Sequence, residues 1–217
     1  GNSIASGGNY NTVVGDEAGT ALTTGDSNVI VGMVAGDALT TASDNVAVGQ
    51  GALTADTLGS KTVAIGRQAL TTQNFTTATD TYNTAVGHNA GLLVTTGASN
   101  TLIGGLAGDA LTTGKQNVAI GYHALGSDDV GQKTVAIGEG ALFTQNYATA
   151  TDSYNTAVGY NVGNAVTTGI NNTLIGGLAG DALTDADKNV AIGYASLTAD
   201  DLGSKTVAIG TSAAGSQ

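Results

Sequence analysis

Histidine, carboxylate and threonine are the side chains here whose type and spacing could support chemistry. His88 and His123 are the only histidines, and the chain has no cysteine. They follow Gly87 and Tyr122 and sit at non-equivalent places in a repeat, with no cluster of carboxylates beside them. A metal site or a general base needs such a cluster, so both histidines read as exposed substitutions at variable positions. No Ser-His-Asp set, phosphate loop or dinucleotide fingerprint can be assembled. Asp37, Asp109 and Asp181 recur every 72 residues, as do Asp56, Asp128 and Asp200. Calcium-binding β-rolls use a Gly-Gly-x-Gly-x-Asp nonapeptide, and that nonapeptide is absent. The carboxylates therefore read as solvated charges. Asp56, Asp128 and Asp200 stand five residues before Lys61, Lys133 and Lys205, where weak corner ion pairs are expected. The expectation is a chain that is not an enzyme, with no catalytic residues, cofactor or metal.

Two patterns suggest binding instead. Threonine pairs at 23–24, 40–41, 71–72, 95–96, 112–113 and 167–168 raise the alternative of an ice-binding solenoid, in which a flat threonine ladder orders water. That line is interrupted by Ala55, Ser127, Asp185 and Ala199. Loops around Asn74-Phe75 and Asn146-Tyr147, ending at Tyr82 and Tyr154, place aromatic residues where scaffolds usually carry contacts. Phe75, Tyr82, Tyr147 and Tyr154 are the candidate surface contacts, toward a host-surface glycan or protein. The competing reading folds Phe75 and Tyr147 back over neighbouring coils.

Composition narrows the partners. The net charge is −11 with only six Lys and Arg, whereas nucleic-acid binding needs clustered cations. No run of 18 apolar residues is present, so no membrane-spanning helix is expected. There are 34 Gly and no Pro among 217 residues, but Gly does not recur at every third position as collagen requires. The chain begins within a repeat, so a piece of a longer or processed product is expected.

The organising element is a five-residue word, Asn/Thr-Thr/Val-apolar-Val/Ile-Gly, typified by Asn117-Val118-Ala119-Ile120-Gly121. It ends at Gly15, Gly32, Gly49, Gly66, Gly87, Gly104, Gly121, Gly138, Gly159, Gly176, Gly193 and Gly210, at intervals of 17 residues interrupted twice by 21. A fixed period over the whole chain marks a repeat architecture. Three 17-residue coils and one 21-residue coil form a 72-residue superrepeat. The divisions are residues 1–10 (the end of a preceding long coil), 11–82, 83–154 and 155–217 (truncated), in one continuous solenoid.

The word is too short and too β-branched for a helix and reads as a strand. Three residues beyond its Gly comes an Ala (Ala18, Ala35, Ala52, Ala69, Ala90, Ala107, Ala124). Then either Gly is followed by a later Leu (Gly36/Leu39, Gly108/Leu111) or Leu comes at once (Leu53, Leu125, Leu197). Exchanging bulk between two positions conserves interior volume, which is a core pattern. Gly and Asn supply the corners, and the first Asn of each word is expected to stack into a ladder. At a strand spacing of about 4.8 Å, twelve coils make a rod roughly 55 Å long.

Alternation places Val118 and Ile120 on one face and Ala119 on the other. The β-branched fourth position is expected inside. The third position, apolar in every copy, is then expected to face identical chains: Val13, Ile30, Ala47, Ala85, Leu102, Ala119, Ala157, Leu174 and Ala191 are the candidate oligomer interface. A strand apolar on both faces is normally covered on both.

The words NVAIG, TVAIG and NTAVG with Gly/Ala-rich connectors resemble the head repeats of YadA-like trimeric autotransporter adhesins, and are similar to repeats in tail-fibre proteins of marine phages. The resemblance spans residues 11–217 and implies an all-β parallel solenoid, a left-handed β-roll, assembled as a homotrimer. It implies a structural or adhesive fibre segment that is extracellular, on a cell surface or on a virion, with a phage tail-fibre shaft or receptor-binding segment as the alternative. Its second word position is Thr or Val where that family usually has Ser, and its coils run longer. End-to-end stacking into a filament is the other expected form of self-association.

Overall fold

A computed structural model describes residues 8–199 and 203–215. The architecture is all-β, with no helix among the described residues: a parallel β-solenoid whose coils each contribute one three-residue strand to a single sheet. Twelve strands, from Thr12–Val14 to Val207–Ile209, stack in chain order. The register is strict, pairing Val118, Ala119 and Ile120 with Val135, Ala136 and Ile137 on one side and with Thr101, Leu102 and Ile103 on the other. Each long coil adds a small two-stranded sheet, Gly59–Ser60 with Thr79–Asp80 and Gly131–Gln132 with Thr151–Asp152.

At the word-final Gly adjacent coils approach closely. These glycines hold φ between +124° and +145°, a region open in practice only to Gly. A Cβ on Gly104 would lie 2.5 Å from the carbonyl oxygen of Gly121, and equivalent positions from Gly15 to Gly193 are similarly crowded. The corners are less glycine-dependent than the sequence suggests. Each coil also turns through left-handed residues with φ of 47–64°, and these include Val34, Leu53, Lys61, Leu106 and Leu125. Such conformations cost non-glycine residues about 1–2 kcal/mol each, so the stacked backbone bonds must hold them.

The expected asparagine ladder is present inside the roll. Oδ1 of Asn100 accepts from the backbone N–H of Asn117 at 3.0 Å, and Oδ1 of Asn117 accepts from Thr134 N–H at 3.0 Å. The Nδ2 of Asn117 donates to Gly131 O at 2.8 Å, closing its own coil. One side chain thus satisfies a donor on the next coil and an acceptor at the corner of its own.

The core is one continuous cluster of Ala, Leu, Val and Ile, and it inverts the expected facing of the strand. The third word position points inward: Ile30, Ala47, Ala85, Leu102, Ala119, Ala157, Leu174 and Ala191 are fully buried within one chain, and Val13 packs against the same cluster. These residues cannot form an intermolecular interface. Volume explains the inversion. A Cβ on Gly108 would come 2.8 Å from Leu102 and 2.9 Å from Leu111. Coils with Leu after the Ala, such as those of Leu53 and Leu125, instead have Ala47 and Ala119 at the strand centre. Where the strand brings Ile30, Leu102 or Leu174, the residue after the Ala is Gly, so those two positions never carry long side chains together, although Leu111, three residues on, is buried beside Leu102. Apart from Val13 and Ile30, the Val and Ile of the words, which branch at Cβ, are left on the outer face.

Three substitutions test these constraints. Gly104→Ala is expected to lower stability by about 3 kcal/mol or more. Gly105→Ala, whose Cβ would have 3.6 Å to its nearest neighbour, is expected to be nearly neutral. Asn117→Ala strands a buried N–H and a buried C=O and should cost about 2–4 kcal/mol. Chemical denaturation at constant pH measures all three.

Candidate interaction surface

No pocket opens among the described residues, and nowhere among them do three or more His, Asp or Glu side chains gather as a metal site would need. Among the described residues no helix is long and apolar enough to cross a membrane. What remains is surface, and it has three parts.

The first is the outer face of the sheet. Positions two and four of every word project from it, in columns such as Val118, Val135 and Thr156 beside Ile120, Ile137 and Val158. In the interior of the stack these residues are half-exposed, as in the strands of Val118–Ile120 and Val135–Ile137. At the ends they reach 58% at Val14 and 65% at Ile209. The face is a nearly uninterrupted ribbon of Val, Ile and Thr along the rod, and within it no side chain of the word carries a charge.

The second part is the corner beside each long coil. Lys61 Nζ donates to Asp80 Oδ2 at 2.6 Å and stands 5.4 Å from the Tyr82 ring centre. Lys133 repeats this with Asp152 at 2.6 Å and Tyr154 at 5.1 Å. The Lys61 hydrogen bond holds the Asp80 carboxyl below its ordinary value, and Lys133 does the same for Asp152. Tyr82 and Tyr154 are more than half exposed, as expected of surface contacts.

Phe75 and Tyr147 are not surface contacts. They are 8% and 4% exposed, and Tyr147 Oη donates to Gly169 O at 2.9 Å while Asn155 Nδ2 approaches it at 3.3 Å. The long coil turns its aromatic residue inward to cap the polar interior below it, and burial raises the Tyr147 hydroxyl well above its ordinary value.

That polar interior also revises the reading of Asp56 and Asp128. They are buried rather than solvated, and neither pairs with the lysine five residues on. Asp56 accepts from Gly59 N–H (3.0 Å), Phe75 N–H (3.0 Å) and Gln73 Nε2 (2.6 Å). Gln73 Oε1 in turn accepts from Asn83 Nδ2 at 2.8 Å. Thr62 takes the ladder position of Asn there and meets the Thr81 hydroxyl at 2.6 Å. Asp128, Gln145, Asn155, Thr134 and Ser153 rebuild the same network one superrepeat later. Asp200 lies outside the described residues. Burial pushes the Asp56 and Asp128 carboxyls above their ordinary 3.8 despite donors on every side, and partial burial does the same to Asp37, Asp109 and Asp181.

The third part is a row on the residue after each word. Gln50, Arg67, His88, Gly105, Tyr122, Glu139, Tyr160, Gly177 and Tyr194 follow one another there. Arg67 Nε donates to Gln50 at 3.0 Å, and its Nη1 lies 3.2 Å from His88 Nε2. His123 packs edge-on between Tyr122 and Phe143. The first threonine of several pairs spends its hydroxyl within the stack: Thr23, Thr40, Thr95 and Thr112 each donate to a backbone carbonyl of the following coil. Sequence reasoning passed over the Tyr122–Tyr194 row because its tyrosines alternate with other residues. The signal was their shared offset from the word-final Gly.

No family model, curated protein or solved structure matches this chain.

The raised carboxyls predict an unusual pH dependence. The folded state binds these protons more tightly than the unfolded chain, so stability is greatest below about 3.8 and is lost as pH rises through the folded-state values. Asp80 and Asp152, held low, act oppositely below about 3.8. Thermal melts should therefore show the midpoint rising from pH 7 to about 4. Asp128→Asn should shrink that rise, and a midpoint that falls over this interval contradicts the assignment.

Proposed function

We propose that this chain is a non-enzymatic segment of an extracellular fibre, a stiff β-solenoid rod that assembles with identical chains, most simply as a homotrimer. The observation that carries this reading is the outer face of the sheet. Its Val, Ile and Thr ribbon runs the length of the rod, and the opposite face of the same strands is already the core. Sheets apolar on both faces are normally covered on both. A ribbon of identical composition on every copy suits a symmetric arrangement in which each sheet faces a common axis. The interface therefore uses Val118, Ile120, Val135, Ile137 and their equivalents rather than the buried third position.

A fibre role fits the rest of the molecule: coil-to-coil ladders along the stack, a continuous packed core, and no pocket among the described residues. The resemblance of the repeated words to adhesin heads and phage tail fibres supports placing it on a cell surface or virion. Attachment is then a matter of what its corners and rows contact.

Sedimentation equilibrium tests the assembly. A trimer has a mass of three times 21.1 kDa, about 63 kDa. Ile120→Lys with Ile137→Lys should return the chain to a monomer with its β-sheet circular dichroism intact. A native chain that stays monomeric at tens of micromolar overturns the assembly reading, and electron micrographs of long end-to-end filaments would replace the trimer with a filament.

A further inference from the structure

We propose that the tyrosine row on the residue after each word is a binding strip for an extended, uncharged β-1,4-linked polysaccharide. Tyr122, Tyr160 and Tyr194 are 53%, 55% and 59% exposed, in a chain whose other large apolar groups are mostly buried or half-buried. They occupy the same offset in coils that are two apart, with Glu139 and Gly177 in the coils between. Two strand spacings are about 9.6 Å, so the stacked backbone presents the three tyrosines at about that interval along the rod. This matches the length of one disaccharide in an extended β-1,4-linked pyranose chain, whose alternate rings present the same face.

The alternate positions keep the strip open. Gly105 precedes Tyr122, and a Cβ there would stand 3.6 Å from its Cδ2. Gly177 relates to Tyr194 in the same way at 3.7 Å. A Cβ at either glycine would only meet the ring at ordinary van der Waals distance, so glycine leaves the most room there without being required. The C–H face of a β-linked pyranose is apolar and slightly positive, so it stacks on the negative face of a tyrosine ring, while the phenol hydroxyl remains free for sugar hydroxyls. Glu139 lies between two of the rings, and the linked Gln50, Arg67 and His88 continue the row with planar polar side chains of the kind that hydrogen-bond sugars. A net charge of −11 disfavours anionic polysaccharides and leaves neutral ones as the fitting class.

The strip is separate from the outer sheet columns, so this inference does not depend on how the chains assemble. The test is co-sedimentation of the full chain with microcrystalline cellulose and with chitin, against granular starch as the α-linked control. Retention on at least one β-1,4 polymer and not on starch is expected. Each tyrosine should contribute roughly two- to tenfold in affinity. The Tyr122→Ala, Tyr160→Ala, Tyr194→Ala variant should therefore lose roughly eightfold or more, with unchanged thermal midpoint and unchanged sedimentation mass. A second variant, Glu139→Tyr with Tyr160→Glu, keeps three tyrosines but breaks their interval, and should also lose binding. No retention of the native chain overturns the proposal, as does equal retention on starch or undiminished binding by either variant. Sedimentation mass reports assembly separately, so failure of the strip is distinguishable from failure of the trimer.

Discussion

The stack depends on a close approach between backbones. Each word-final glycine lies against the carbonyl of the next coil's glycine, at a φ that only glycine holds without strain. That contact sets how tightly coils stack, and the stacking spacing allows every strand residue to find its partner one coil away. It also supports the left-handed corners. Val34 and Leu106 would relax from φ of 51° and 58° if they were free. They are held because their amide groups donate to carbonyls of the previous coil, Val34 to Asp16 and Leu106 to His88. Local strain is therefore distributed and repaid by long-range order, which is the energetic pattern of a solenoid rather than of a globular domain.

Within that frame the interior has two textures. Coils in which Leu22, Leu39 or Leu111 reaches across are dry, while those carrying Asp56 with Gln73, or Asp128 with Gln145, are polar and hydrogen-bonded throughout. The polar pairs occur where the asparagine ladder gives way to Thr62 and Thr134. There the Asp, Gln and Asn side chains close the gap in hydrogen bonding that the missing asparagine leaves. A buried carboxylate is a costly way to do this, but a network with every member satisfied fixes the register of the long coil more tightly than a greasy contact could.

Much of this was legible from residues alone. The period, the strand word, the asparagine ladder and the exchange of Gly36/Leu39 for Leu53 all translated into structure. The facing of the strand did not, because alternation assigns two faces without saying which is inner. The missing clue was a second covariation: Ile30, Leu102 and Leu174 occur only where Gly36, Gly108 and Gly180 follow, and Ala47 or Ala119 where Leu53 or Leu125 follows. Bulk that trades between two positions must share a volume, so the third word position had to lie inside. Asp56 misled for a related reason. Charge usually marks the surface, and only its partners Gln73 and Asn83, many residues away, show that it does not here.

The inversion changes where function must be sought. A roll this thin is filled by Ala and Leu, so the β-branched residues that favour strands are displaced outward. The rod acquires an apolar ribbon as a consequence of its own narrowness, before any partner is considered. Once every coil presents the same ribbon, specificity has to come from residues that do not repeat every coil. The Lys61–Asp80–Tyr82 corner recurs every fourth coil, and the tyrosines of the exposed row every second one. A scaffold with one backbone period can thus display several chemical periods, each suited to a partner that is itself periodic. The ribbon suits another copy of the rod; the tyrosine row suits a polymer of sugars.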